Sequence, residues 1–131
     1  MNWFKKAELF RKPNLEDRDT LNYKIRFLED LQSSISDLKK IVFQDARYVK
    51  TSTFKIANNK ATSSYPTIQD LLMQAERIAL DSPWSYGNIC SQVEAEAEKH
   101  IRKFKIQRKN LIDNILPNQY HKWVEDHKPE K

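Results

Sequence analysis

Apolar residues return every seven positions through the first third of the chain: Leu21, Leu28, Ile35, Val42 and Val49. Leu31 and Leu38 fill the intervening position, giving the a/d spacing of a helix that buries one seam. Ile25, Phe27 and Ile41 widen the stripe beyond the seam of a two-stranded coil, so a bundle is expected. Lys24 and Asp45 interrupt the intervening row. The pattern predicts a first helix of about 30 residues within 14–50, roughly 45 Å long.

Glycine usage reinforces this. The 131 residues include one glycine, against a usual share of roughly 7%. Strand-rich folds use glycine in tight turns and bulges, and phosphate-cradling loops need several. The shortage points to long helices and removes the P-loop and the dinucleotide fingerprint.

The polar stretch TSTFKIANNKATSSYP at 51–66 breaks the helical period. It is expected to be an irregular connector, with a short hairpin at Asn58–Asn59 as the alternative. A second helix is expected from an N-cap at Thr67, with Asp70 three residues on, to about Asp81. Ser82-Pro83 signals a third helix. Trp84, Tyr86 and Gly87 leave its start open as far as Asn88, and Pro117 stops it after Leu116. Cys90, Val93, Ala97, Ile101, Phe104 and Leu111 or Ile112 trace its apolar face. Tyr120, Trp123 and Val124 would face inward from a short last helix.

The expected architecture is therefore all-α: an elongated bundle of two long helices, one medium and one short C-terminal helix. An aromatic and basic segment at 1–13 precedes a single bundle domain at 14–127, and 128–131 form a frayed tail. Three successive helices running up, down and up would place the two long ones parallel.

The charge is unevenly spread. The chain carries +5, from 23 Lys/Arg and 18 Asp/Glu. Two stretches, one between Asp45 and Asp70 and one between Glu98 and Asp113, hold ten of those cations and no carboxylate. The candidates are Arg47, Lys50, Lys55 and Lys60 in the first, and Lys99, Arg102, Lys103, Lys105 and Lys109 in the second. At 100° per residue, Lys99, Arg102, Lys103 and Lys109 fall opposite the apolar face, and Lys105 lies at its flank. The plain reading is a solvated helix face. The sharper one is a backbone-directed nucleic-acid surface, with Phe54 and Tyr65 available for base stacking. No helix-turn-helix spacing, RNP motif or zinc finger accompanies it.

Arg108 falls on the apolar face of its helix, and Asp45 interrupts the seam of the first. With the long helices parallel, the two would form a buried polar pair that fixes register. His100 and Glu96 lie one turn apart, too few ligands for a metal site, and His121, Glu125, Asp126 and His127 form a loose polar cluster. Cys90, the lone cysteine, sits on the core face as an inert thiol and offers no internal disulfide. No cofactor and no catalytic constellation are expected, so the chain reads as a non-enzyme.

Trp3, Phe4, Leu9 and Phe10, beside Lys5, Lys6, Arg11 and Lys12, form an apolar segment that needs a partner. Docking on protein is favoured over a membrane surface, because one short signal anchors marginally. No run approaches the ~20 apolar residues of a membrane span, and no secretory leader is evident. The expectation is an intracellular, cytoplasmic interaction or adaptor protein that contacts another protein or a second copy of itself as a homodimer. Nucleic-acid binding is the alternative.

Overall fold

The computed structural model describes residues 15–111. These form four α-helices and no strand: α1 (Leu15–Ile41), α2 (Ala46–Ala57), α3 (Pro66–Ile78) and α4 (Pro83–Asn110), with a 3-10 turn at Thr62–Ser64. The all-α expectation holds. Two helices are long, at 27 and 28 residues. The N-terminal segment, the last short helix and the tail lie outside the described residues, as does the polar cluster around His121.

The chain divides into two compact units, Arg26–Ile101 and the remainder, with both boundaries falling inside the long helices. In the larger unit the seven-residue seam is the core: Leu28, Ile35, Val42 and Val49 are buried, together with Leu31 and Leu38. Ile68, Leu72, Ala75 and Ala79 face them from α3 and its end, and Tyr86, Cys90, Val93, Ala97 and Ile101 from α4. In the smaller unit, Ile25 and Leu111 are buried. There Arg108 Nη1 donates to Asn22 Oδ1 at 2.9 Å, and the Lys24 ammonium lies 5.3 Å from the centre of the Phe104 ring. Lys24 itself is exposed, so this lysine beside the seam keeps its charge in water while lying over the ring.

The expected first helix is cut in two. Asp45 adopts non-helical angles (φ −146°, ψ 72°) and its carboxylate accepts the Tyr48 N–H at 3.2 Å, capping α2. The residue that interrupts the heptad row is thus a start signal, since an aspartate side chain satisfies one of the orphan donors of a first turn. The seven-residue count does not register the break, because Val42 and Val49 on either side both remain buried.

The connector at 51–66 is also corrected. Helix α2 continues through it to Ala57, and only 58–65 are non-α. The hydroxyls that favoured a loop are absorbed by the helix. Thr51 Oγ1 donates to the Arg47 carbonyl at 3.0 Å, and Thr53 Oγ1 to the Val49 carbonyl at 2.7 Å. Such back-bonding four residues earlier lets threonine sit in a helix without an unsatisfied hydroxyl. Val49, Thr53 and Ala57 then make a buried stripe at four-residue spacing. No hairpin forms at Asn58–Asn59; Asn59 Oδ1 accepts the Ala61 N–H at 2.9 Å and tightens the turn.

Helix α3 begins at Pro66 with Tyr65 at its N-cap and no side-chain cap bond, two residues before the expected N-cap Thr67. Proline at the first helical position loses nothing, since its missing N–H would have no partner there. The helix ends at Ile78, three residues before the expected Asp81. Helix α4 begins at Pro83, the earlier of the two expected starts, with Ser82 Oγ donating to Ser85 Oγ at 2.8 Å.

The long helices run antiparallel, not parallel. In the larger unit Gln32 Nε2 donates to the Glu94 carbonyl (3.1 Å) and to Glu98 Oε2 (3.0 Å). Further along α1, Lys39 reaches the earlier residues Ser91 and Glu94. Ascending α1 therefore descends α4. The extra reversal at Val42–Asp45 changes the parity of the connections. Helices α2 and α3 are antiparallel too: Lys50 pairs with Glu76 at 3.0 Å, and Gln69 Nε2 donates to the Ala57 carbonyl at 2.9 Å.

Candidate interaction surface

The turn that cuts the first helix brings one side chain outward. Phe43 lies in it between Val42, which is buried, and Asp45, which caps α2. Trp84 is the second residue of α4, directly after Pro83. The two rings meet edge to face, 5.0 Å between centres at 66°, the arrangement that sets a ring edge against a ring face. The pair is not buried by this contact: Trp84 remains 78% exposed and Phe43 56%. Leu80, in the turn before α4, is also exposed. Within four residues of one ring or the other lie four exposed charges, Lys40 and Arg47 against Asp45 and Asp81. Lys39, also within that span, is paired with Glu94.

Sequence reasoning did not single out this pair. It counted Val42 and Val49 as one continuous helix, which hides a turn at Phe43. The signal that could have found it is Asp45 read as a cap.

Of the sequence-derived cations in the larger unit, Lys50 is committed: besides the Glu76 carboxylate it donates to the Glu76 carbonyl at 2.9 Å. Lys99 pairs with Glu96 at 3.4 Å on its own helix. Arg47, Lys55 and Lys60 are exposed. In the smaller unit Arg102, Lys103, Lys105 and Lys109 are exposed on the end of α4. Tyr65 does not face solvent. It stacks on Phe27 (6.3 Å, 13°) and meets His100 edge-on (4.9 Å, 60°), and burial raises its pKa. It is core, not a base-stacking platform, whereas Phe54 is exposed.

Asp45 and Arg108, expected as a buried pair, fall in the larger and the smaller unit respectively. Asp45 is exposed and spends its carboxylate on the α2 cap, and Arg108 is half-buried and bonds Asn22. The expectation assumed parallel long helices, whereas α1 and α4 run antiparallel in the larger unit. Trp3, Phe4, Leu9 and Phe10 lie outside the described residues.

The buried polar chemistry of the larger unit lies elsewhere. Tyr86, the largest fully buried side chain, shares a 2.8 Å hydrogen bond with Thr53. Thr53 has one hydroxyl proton and gives it to the Val49 carbonyl, so the Tyr86 hydroxyl is the donor of the pair. Cys90, one turn further along α4, is fully buried. Burial pushes its thiol from an ordinary value of 9.0 up to about 11, with Lys39 opposing. Burial likewise raises Tyr86 far above the usual phenol range. At neutral pH the thiol is therefore protonated and a poor nucleophile.

Between α1 and α2 runs an open groove of about 420 Å³, with Asp37 on one wall, Tyr48 and Lys55 on the other, and Leu38, Ile41 and Ile56 between. Among the described residues no three His, Cys, Asp or Glu side chains gather to hold a metal, and no helix is long and apolar enough to cross a membrane. Fold and surface together define a class and no more: an all-α helical bundle with an exposed aromatic pair. No protein-family model, curated protein or solved structure matches this chain.

Proposed function

We propose that this chain is a non-enzymatic helical interaction protein that works through protein–protein contacts, with the Phe43–Trp84 pair at the centre of its contact surface. The observation that carries the reading is the exposure of a tryptophan and a phenylalanine already packed edge to face on each other. Aromatic anchors dominate the binding energy of protein interfaces, because a ring offers much area with few rotamers to freeze. The four exposed charges that flank the two rings in sequence cancel, which suits a protein partner better than a polyanion or an anionic membrane.

The test is site-specific photo-crosslinking in cells of the source organism, with a photoreactive phenylalanine at position 84 and, as control, at exposed position 29. A protein adduct from position 84, absent from position 29 and lost with Phe43→Ser, is the expected result. Equal labelling from both positions, or none from position 84, overturns the reading.

One observation favours a second reading. The exposed cations Arg102, Lys103, Lys105 and Lys109 have no carboxylate among them in sequence, as a backbone-directed nucleic-acid contact would require. Anisotropy titration with single- and double-stranded nucleic acid at two salt concentrations checks it. Binding that weakens steeply with salt and is lost in the Lys103→Glu, Lys109→Glu double variant is expected on that reading. No binding at low salt removes it.

A further inference from the structure

We infer that the groove between α1 and α2 is a second docking site, and that its occupant is an amphipathic helix of another protein with a basic edge. The inference goes beyond the Phe43–Trp84 contact and does not depend on it.

The groove is longer than its main cavity. A second depression of about 170 Å³ continues it, and the two share Ser34 and Ile56 as lining residues. On α1 the lining runs from Phe27 to Ile41 at three- and four-residue spacing, a single helix face about 21 Å long. On α2 it runs from Ile56 back to Tyr48. Two helices that flank a channel of this length leave space for a third of about 14 residues.

The floor is apolar. Leu31 and Leu38 are buried at its base, and Ile41 and Ile56 are half-buried. Such a floor takes apolar side chains that recur every three or four residues, the anchors by which a helix seats in a groove. Ser34, exposed where the two cavities join, keeps the middle open to a close approach.

Charge decides which helix fits. Asp30 and Asp37 line the α1 wall and Lys55 the α2 wall, all three exposed. Asp37 and Lys55 line the same cavity from opposite walls, yet neither they nor Asp30 make an ion pair among the described residues. Opposite charges that share a groove without pairing leave each free for an element inserted between them. Asp30 and Asp37 stand two helical turns apart on one side of α1, about 10 Å. A helix laid along α1 answers them with two basic residues seven apart, and its other edge answers Lys55 with an acid. The reverse pattern would set like charge against like along both walls, which excludes it. Two acids against one base also disfavour the phosphates of a nucleic acid.

A displayed library of random peptides about 15 residues long, matched to the groove and selected on the full chain, tests this. The expected winners carry apolar residues at three- and four-residue spacing and two Lys or Arg seven apart. Ser34→Trp fills the middle of the groove from an exposed position. It should weaken the winners at least about tenfold by fluorescence anisotropy, with circular dichroism and the thermal midpoint unchanged. The Asp30→Lys, Asp37→Lys double variant, selected with the same library, should enrich acidic pairs at that spacing instead.

Winners without the basic pair overturn the inference, as do winners that bind Ser34→Trp as tightly as the unaltered chain. A double variant that selects the same peptides also overturns it. So does a full chain that selects none, whether its groove is closed by the chain itself, by a second copy or by nothing. Trp84→Ser should leave the winners' affinity unchanged. Failure of the groove therefore leaves the position-84 adduct standing, and loss of that adduct leaves the groove.

Discussion

Tyr86 and Thr53 show how one buried hydrogen bond constrains a core. Both side chains are fully buried, and the donor chain runs in one direction only, from Tyr86 to Thr53 and from Thr53 to the Val49 carbonyl. The two ends are therefore not equivalent. Tyr86→Phe removes the donor and leaves the threonine oxygen with its own bond intact, a loss of about 1 kcal/mol. Thr53→Val removes the acceptor and strands the tyrosine hydroxyl, which costs about 1–3 kcal/mol. Urea denaturation of the two variants checks the order, and a Tyr86→Phe variant less stable than Thr53→Val would contradict it. Sequence patterning missed this pair, because Thr53 falls in a polar stretch that breaks the helical period and Tyr86 in a helix start left open. Cys90 was legible as a core residue from its place on the apolar face of α4, since three- and four-residue steps lead from it to Val93 and Ala97 and periodicity needs no partner to be read.

At the scale of the element, two positions report on how the helices begin. Asp45 caps α2, and Asp45→Ala should destabilise the protein by about 1 kcal/mol. Gly87 lies within α4, no atom lies within 4 Å of the place a Cβ would occupy, and its φ is not positive. Gly87→Ala should therefore stabilise by about 0.5–1 kcal/mol, by lowering the entropy of the unfolded chain with no clash to oppose it. Thermal melts of both variants test the pair, and a destabilised Gly87→Ala would mean that the first turns of α4 are not the helix described. The helices themselves were largely legible: the start at Ser82-Pro83, the long seam and the apolar face of α4 all follow from spacing. The ends were not. Helix α2 was hidden inside a connector, because Ser, Thr and Asn are common to loops and to helix surfaces. Only the carbonyl four residues earlier decides which role a hydroxyl takes.

For the whole molecule, pH is the most direct probe of the core. The folded state raises the pKa of Cys90, from 9.0 to about 11, and raises those of Tyr86 and Tyr65, burial being the cause in each case. A raised pKa means that the folded state holds its proton more tightly than the unfolded one. The associated stability is complete well below pH 9, where the unfolded thiol is still protonated, and falls as pH rises through 9 toward 11 and through the tyrosine range above 10. The thermal midpoint should thus be flat from pH 7 to about 8 and decline beyond, and Cys90→Ala should make the decline begin later. A midpoint that rises between pH 9 and 11 would show that these groups are not buried as described. The surface charges follow a different rule, because exposed pairs such as Lys99 and Glu96 contribute little.

The sequence by itself determined that the chain is helical, which residues form its apolar seam, and that no glycine-built phosphate loop or multi-cysteine site is present. Periodicity and composition are local properties, and burial of one helix face follows from them whatever the neighbour. Direction, pairing and exposure were decided by tertiary structure. One capped turn at Val42–Asp45 reversed the chain once more than the heptad count allows. That reversal set the long helices antiparallel, separated Asp45 from the role expected of it and lifted Phe43 out beside Trp84. A seven-residue repeat is the same read forward or backward, so no periodicity could have told those outcomes apart.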